Sequence, residues 1–322
     1  MKPDKSEQAF CSLLSRQAEE LLFATATPTR LYLLLQYQGE WGNKALEESS
    51  LPEGVKERLK RFSKANPEVK VLLMRSGQEK IATERPERNS APHGAQEEAG
   101  ITFYAALVEE TERRLYRFEL GSYQELLGLE LEGFLSGGEA YEEKRTDEQL
   151  ALVCTNGRRD LCCARFGTPV YNYLKNEEQE FPGLWAWQST HMGGHRFAAN
   201  LLWLPDGVLY GRVDALGAAE ILAAQRRGQV YLPNLRGRTA YPEAAQAADF
   251  YLHQRSSENA LDAYQLREIE ERGENRWRVG FFDTRSGAIQ RVEVALEIGD
   301  QEVYESCTLD KATRIKYYRL IE

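Results

Sequence analysis

No stretch of this 322-residue chain offers the run of about 18 apolar residues that a membrane-spanning helix needs. The opening segment MKPDKSEQAFCSLLSRQAEELLF is amphipathic and mixed in charge. It lacks the unbroken apolar core and small-residue cleavage site of a secretion signal. A soluble, cytoplasmic protein without membrane insertion is therefore expected. Basic charge is in deficit as well: the formal net charge is −9, whereas general nucleic-acid binding wants a basic face. Arg158, Arg159, Arg165 and Arg196 are a local exception; they read first as solvated surface, and second as a docking patch for an acidic redox partner. Cysteine is scarce and odd in number, five in all, which does not describe a disulfide scaffold. No Cys-x-x-Cys occurs, so a thioredoxin-type dithiol, whose two sulfurs close a small ring, is excluded. Gly-x-Gly-x-x-Gly is absent too, and with it the fingerprint of a bound dinucleotide.

What is present is an ordinary globular composition, 42% hydrophobic and 28% charged, long enough for two or three domains with real cores. RLYLLLQY (30–37) and VKVLLMR (69–75) read as buried strands. Between them, LPEGVKERLKRFSKAN carries Val55, Leu59 and Phe62 at helical spacing and stops at Asn66-Pro67. Residues 77–100 read as a long polar loop. ITFYAALVEE and RRLYRFEL then predict a strand pair, and SYQELLGLELEGFL a helix. The middle of the chain repeats this order. It has a strand at 150–157, a helix at 163–176 with an irregular start at Gly167 and Pro169, and a short strand at 185–190. HRFAANLLWL and GVLYGRV form a hairpin about Pro205-Asp206-Gly207, and a helix at 217–228 ends at Gly228.

A βαβ unit followed by a ββα unit is the element order of the thioredoxin fold. The expected fold class is therefore α/β, with tandem thioredoxin-like domains at 1–145 and 146–232 and a small C-terminal α+β module at 233–322. That module opens on a linker-like LPNLRGRT and continues with an alanine-rich helix and three strands. It shows no convergent chemistry and reads as structural or partner-facing.

Chemistry concentrates in the middle. Cys154, Cys162 and Cys163 fall within ten residues, and His191 and His195 follow. Cys154 ends a predicted strand, Cys162-Cys163 open a helix, and the histidines lie where the next strand gives way to the hairpin. Side chains at the carboxyl ends of strands in an α/β sheet converge on one edge. The histidines are four apart, as on one helix face, yet Gly193 and Gly194 between them disfavour a helix. A thiol enzyme using Cys163 needs one thiolate, one base and an orienting group, and leaves the second histidine idle. Two thiolates and two neutral imidazoles satisfy tetrahedral Zn²⁺, as in a structural interaction module, or an iron–sulfur cluster. Cys-x7-Cys or Cys-x8-Cys is too wide for a zinc finger, and the glycines let backbone pass close to a bulkier group.

CTNGRRDLCCARFG followed by HMGGHRFAANLLWLPDGVLYGR resembles the sucrase/ferredoxin-like family of thioredoxin-like [2Fe-2S] proteins. The family's mark is Cys-x8-Cys and, after a variable gap, His-x-Gly-Gly-His. Cys154 and Cys163 supply the first part, and His191 to His195 the second after 27 intervening residues. Arg159-Asp160 and the later Arg-Phe-Ala and Pro-Asp-Gly also fit, so the strong match covers 154–213. The resemblance implies a [2Fe-2S] cluster with Cys154 and Cys163 on one iron and His191 and His195 on the other, a Rieske-like ligation. "Sucrase" carries no weight, because no carboxylate pair suggests glycoside hydrolysis. The implied role is one-electron transfer, as carrier or redox sensor, more than an enzyme with its own substrate. An external redox partner protein is then required, because the chain has no nucleotide fingerprint.

Around the ligands, Arg159 and Arg196 read as surface salt-bridge partners or as cluster neighbours. Asp160 reads as a cap on the helix that begins near Cys162, and Cys162 as a small buried apolar residue. Trp185, Trp187 and Trp203 read as core, His93 and His253 as incidental, and Cys11 and Cys307 as isolated structural residues. The first domain is expected to be cluster-free, since QGEWGN after its first strand holds no cysteine.

Overall fold

A computed structural model describes residues 10–76 and 100–321. The polar stretch 77–99, with His93, lies outside the described residues. The first half contains α1 (Cys11–Gln17), β1 (Leu31–Gln36), α2 (Glu53–Ala65), β2 (Val69–Arg75), β3 (Ile101–Val108), β4 (Arg113–Leu120) and α3 (Leu131–Leu135). A two-residue strand, β5 (Arg145–Thr146), leads into the second half: β6 (Gln149–Cys154), α4 (Leu161–Glu177), β7 (Leu184–Ser189), β8 (Leu201–Leu204), β9 (Val208–Tyr210), α5 (Ala215–Arg226) and β10 (Leu235–Arg238). The remainder is α6 (Glu243–Ser256), β11 (Tyr264–Gly273), β12 (Arg276–Asp283), β13 (Ile289–Tyr304) and β14 (Ala312–Leu320).

The chain is mixed α/β, and the two halves carry the same strand order. β2-β1-β3-β4 and β7-β6-β8-β9 each have one parallel pair, made across a helix, and antiparallel pairs beyond it. They do not form separate sheets. β2 pairs with β7, antiparallel, at Met74–Ser189 and Arg75–Gln188, so ten strands run as one sheet from β10 to β5. Alternation along β1 shows how the cores divide. Leu31, Leu33 and Leu35 meet Val55, Leu59 and Phe62 of α2, the stripe that made α2 legible. Tyr32 and Leu34 turn to the opposite face and join Leu150, Leu152, Trp187 and Leu202 of the other half. One apolar layer thus belongs to both halves.

Several boundaries differ from expectation. LPNLRGRT is no linker: it holds β10, whose four residues are buried and which pairs with β9 at the sheet edge. The hairpin strand starts at Leu201, because residues 195–197 form a 3₁₀ turn. The helix α4 starts cleanly at Leu161 and runs through Gly167 and Pro169. Pro169 leaves the Arg165 carbonyl without its helical donor, on an exposed face of the helix. SYQELLGLELEGFL splits into a 3₁₀ turn and the short α3. The C-terminal module has four antiparallel strands, not three, covered by α6. His253 is buried there beside Asp249, away from the cysteine–histidine region. Trp203 is fully buried, whereas Trp185 is partly exposed with Arg117 over its ring. Among the described residues no helix is long and apolar enough to cross a membrane.

Candidate metal centre

Cys154 is the last residue of β6, buried, at the carboxyl end of a central strand. The turn after it is tied by Asn156, whose Oδ1 accepts from the Arg159 amide and whose Nδ2 donates to the Gly42 carbonyl of the other half. Asp160 then caps α4, accepting from the Cys162 amide at 2.9 Å. Cys163 lies one turn before Gly167 on the same helix face. Gly167 has a specific job there: a Cβ would stand 2.1 Å from the Cys154 carbonyl oxygen. Without one, α4 lies directly on the end of β6, and the Cys163 sulfur comes within reach of the Cys154 sulfur. The two sulfurs and a His191 ring nitrogen all lie within 4.8 Å of one another.

The histidines come from the segment after β7. Gly193 and Gly194 have φ of 106° and 68°, left-handed values that glycine adopts without penalty. Three successive carbonyls of this loop are each held by a side chain from elsewhere in the fold. Lys70 Nζ donates to Met192 O at 2.5 Å, Arg236 to Gly193 O at 2.9 Å, and Asn200 to Gly194 O at 3.0 Å. Arg236 also donates to Asn200 Oδ1 at 2.8 Å and to Thr25, so the three bolts are themselves connected. A Cβ on residue 194 would lie 2.6 Å from the Arg236 guanidinium. The loop sets the His191 and His195 rings 4.6 Å apart, centroid to centroid. His195 stands beside the Cys154–Cys163–His191 group and outside its 4.8 Å limit.

Electrostatics favour ligation. The Nδ1 atoms of both histidines are buried and have no hydrogen-bond partner among the described residues, an arrangement that costs free energy unless something occupies them. Burial, and next the neighbouring His191, push His195 below the ordinary imidazole value, so its ring is neutral, the form that binds metals. The Cys163 thiol beside Cys154, against the opposing effect of burial and with His191 nearby, pushes the Cys154 thiol well below its ordinary value. Behind the loop stand two cations. Burial, then repulsion from Arg236, lowers Lys70 to about 8, and burial, then Arg196, lowers Arg236 to about 9. Neither has a carboxylate within ion-pair distance among the described residues. Lys70, Asn200 and Arg236 escape sequence reasoning because each lies apart from the motif along the chain and none sits in a recognisable pattern.

Other singled-out residues fall elsewhere. Arg159 bonds Asn43 at the surface, Arg158 pairs with Glu40, and Arg196 pairs with the buried Glu20 at 2.9 Å. Asp160 does more than cap: its Oδ2 lies 4.0 Å from His195 Nε2. The Cys162 sulfur meets those of Cys11 and Cys307, so none of these three is isolated. On the other side a cavity of about 250 Å³ opens beside His191, walled by Asn43, Leu46, Leu73, Asn156 and Arg159.

The family follows from the chain as a whole. Residues 22–237, about two thirds of the chain, match the sequence profile of the sucrase/ferredoxin-like proteins. The chain belongs to that family. All four candidate ligands, and Lys70, Asn200 and Arg236, lie inside the matched stretch. Another similarity is local: 79 residues are 32% identical to altered inheritance of mitochondria protein 32 of Meyerozyma guilliermondii. That alignment covers 23% of this chain and 28% of the yeast protein. The sucrase/ferredoxin-like match ends at β10, so α6 and the four-stranded sheet lie beyond it.

Proposed function

We propose that this protein is a one-electron carrier or redox sensor whose [2Fe-2S] cluster is held by Cys154, Cys163, His191 and His195. The observation that supports this most directly is a His191 ring nitrogen gathered with two buried sulfurs within 4.8 Å, beside a second histidine, with both imidazole Nδ1 atoms buried and unpartnered among the described residues. When bound, such a cluster supplies reversible one-electron transfer. The chain does the rest. Two neutral imidazoles in place of thiolates lower the negative charge of the ligand set, which raises the potential of Rieske-type centres by hundreds of mV, on an order-of-magnitude scale. Lys70 and Arg236 add positive charge behind the loop and favour the reduced state further. For His195, Nε2 is left to hold a proton, facing Asp160. The cavity beside His191 is the route by which an external redox partner reaches the ligand edge.

Anaerobic purification followed by iron, acid-labile sulfide, visible and EPR measurements tests this reading. The expected result is two irons and two sulfides per chain, as the composition of the cluster requires. His191→Cys should retain a cluster at a lower potential. A colourless protein whose only metal at these residues is zinc would favour a structural zinc site and sink the electron-transfer reading.

A further inference from the structure

Away from the four candidate ligands, three chain segments bring another set of donors together. Cys11 opens α1, Asp160 and Cys162 form the head of α4, and Cys307 lies in the turn between β13 and β14. The sulfur separations are 3.5 Å for Cys11–Cys162, 3.2 Å for Cys162–Cys307 and 3.7 Å for Cys307–Cys11. Asp160 Oδ1 is 3.8 Å from the Cys11 sulfur, and Oδ2 accepts from the Cys307 amide at 2.8 Å. All four donors lie within 4.8 Å of one another; Cys307 is half-buried and the others are buried. We propose that Cys11, Cys162, Cys307 and Asp160 form a second, closed metal site that takes one zinc-class divalent cation.

The dimensions suit that ion. A tetrahedral zinc with Zn–S bonds of about 2.3 Å keeps its sulfurs about 3.8 Å apart. All three observed separations are shorter than that value, so the sulfurs are already gathered closely enough to share one ion. A disulfide, at about 2.05 Å, would use two of the three sulfurs and leave the third. Hydrogen bonding alone is a weak reason for the gathering, because S–H groups are poor donors and a thiol trio beside a carboxylate holds no positive charge. The basic group that approaches Asp160 is His195, whose Nε2 stands 4.0 Å from Oδ2. Three thiolates and a carboxylate complete four-coordination with no open position, which marks a structural site, not a catalytic one. Thiolates also select a soft or borderline cation over Mg²⁺ or Ca²⁺.

Cys11 and Cys307 both lie outside the stretch that matches the family, 22–237. The cation therefore clamps this chain's two flanking segments, α1 and the β13–β14 turn, onto the head of α4. It does so through Asp160, the residue whose other oxygen faces His195. Helix geometry permits two sites side by side: Cys162 and Cys163 are about 100° apart around α4, so each serves a different one.

Metal analysis of the full chain, purified without oxygen, tests the site. One zinc per chain is expected in the wild type and also in Cys154→Ser/Cys163→Ser. Cys11→Ser and Cys307→Ser should lose that zinc and keep their iron. In the Cys154→Ser/Cys163→Ser chain, one equivalent of Co²⁺ should give the visible absorption of tetrahedral cobalt–thiolate, abolished by adding Cys307→Ser. Should Cys11→Ser fail to fold, chelation of the wild type replaces it: stripping zinc should lower the melting temperature, and zinc should restore it. Zinc that vanishes with Cys154 or persists without Cys307 would overturn the proposal. So would a Cys11–Cys162 disulfide in the anaerobic protein, or a melting temperature indifferent to chelation. An iron-free chain that still holds one zinc under the control of Cys11 and Cys307 would leave this site standing while refuting the iron–sulfur reading.

Discussion

At the scale of single residues, adjacency in sequence and adjacency in space part company at Cys162 and Cys163. Both are fully buried, yet consecutive helix positions diverge by about 100°, so one sulfur meets Cys154 and the other meets Cys11 and Cys307. Arg236 is the opposite case, a residue distant in sequence that decides the site. It is 2% exposed, has no paired carboxylate among the described residues, and satisfies Gly193 O, Asn200 Oδ1 and Thr25 O. Arg236→Met leaves these acceptors without their donor, each worth about 1–3 kcal/mol, while removing a desolvated charge that offsets part of the loss. The net expectation is about 2 kcal/mol of destabilisation in urea unfolding, with a lower reduction potential in the cluster-bound protein. An Arg236→Met chain with unchanged stability and potential would show that the guanidinium neither holds the loop nor tunes the site.

At the scale of elements, the site is the product of one strand end, one helix start and one loop. The helix approaches the strand only because residue 167 has no Cβ, which would otherwise lie 2.1 Å from the Cys154 carbonyl. At an ordinary interior helix position Gly→Ala gains about 1 kcal/mol of propensity. Gly167→Ala should instead cost about 1–3 kcal/mol, as α4 is forced off β6. Denaturant midpoints and iron content should fall together in this variant. A Gly167→Ala protein more stable than wild type, with full metal, would show that the close approach is dispensable. The loop depends equally on backbone freedom at Gly194, where a Cβ would press on Arg236.

At the scale of the whole molecule, neither half supplies the centre alone. The candidate ligands come from the second half, but Lys70 and Leu73 come from β2 of the first: Lys70 holds Met192 O, and Leu73 exchanges backbone and side-chain hydrogen bonds with Thr190. Lys70 also offers a pH signature. Its value is lowered to about 8 in the fold, chiefly by burial, against about 10.4 in an unfolded chain. Between those values the unfolded chain binds more protons, so this group makes the cluster-free protein more stable as pH rises from about 8 to about 10.4. Below pH 8 the buried charge exerts its full penalty, about 3 kcal/mol at most. Lys70→Met should remove that rise, which paired unfolding curves at pH 7.5 and 10 would measure, roughly spanning the window. Parallel pH dependence in the two proteins would mean that Lys70 is not desolvated as described.

The sequence by itself determined most of the strands and the second-half cysteine–histidine motif. Val55, Leu59 and Phe62 announce α2 because a helix needs one apolar stripe. Cys154, Cys163, His191 and His195 announce a candidate metal centre because donors at strand ends share an edge. Local patterning could not reveal that the two halves merge into one sheet through Met74–Ser189 and Arg75–Gln188, since unpaired strand edges look alike in sequence. LRGR read as a linker because buried arginines mimic surface ones until their acceptors are seen. Cys11 and Cys307 read as isolated because they are 296 positions apart, and only tertiary packing closes such a distance. Side-chain types and spacing declare what chemistry a segment can perform; which segments meet, and which charges lie beneath them, is settled by burial and long-range pairing.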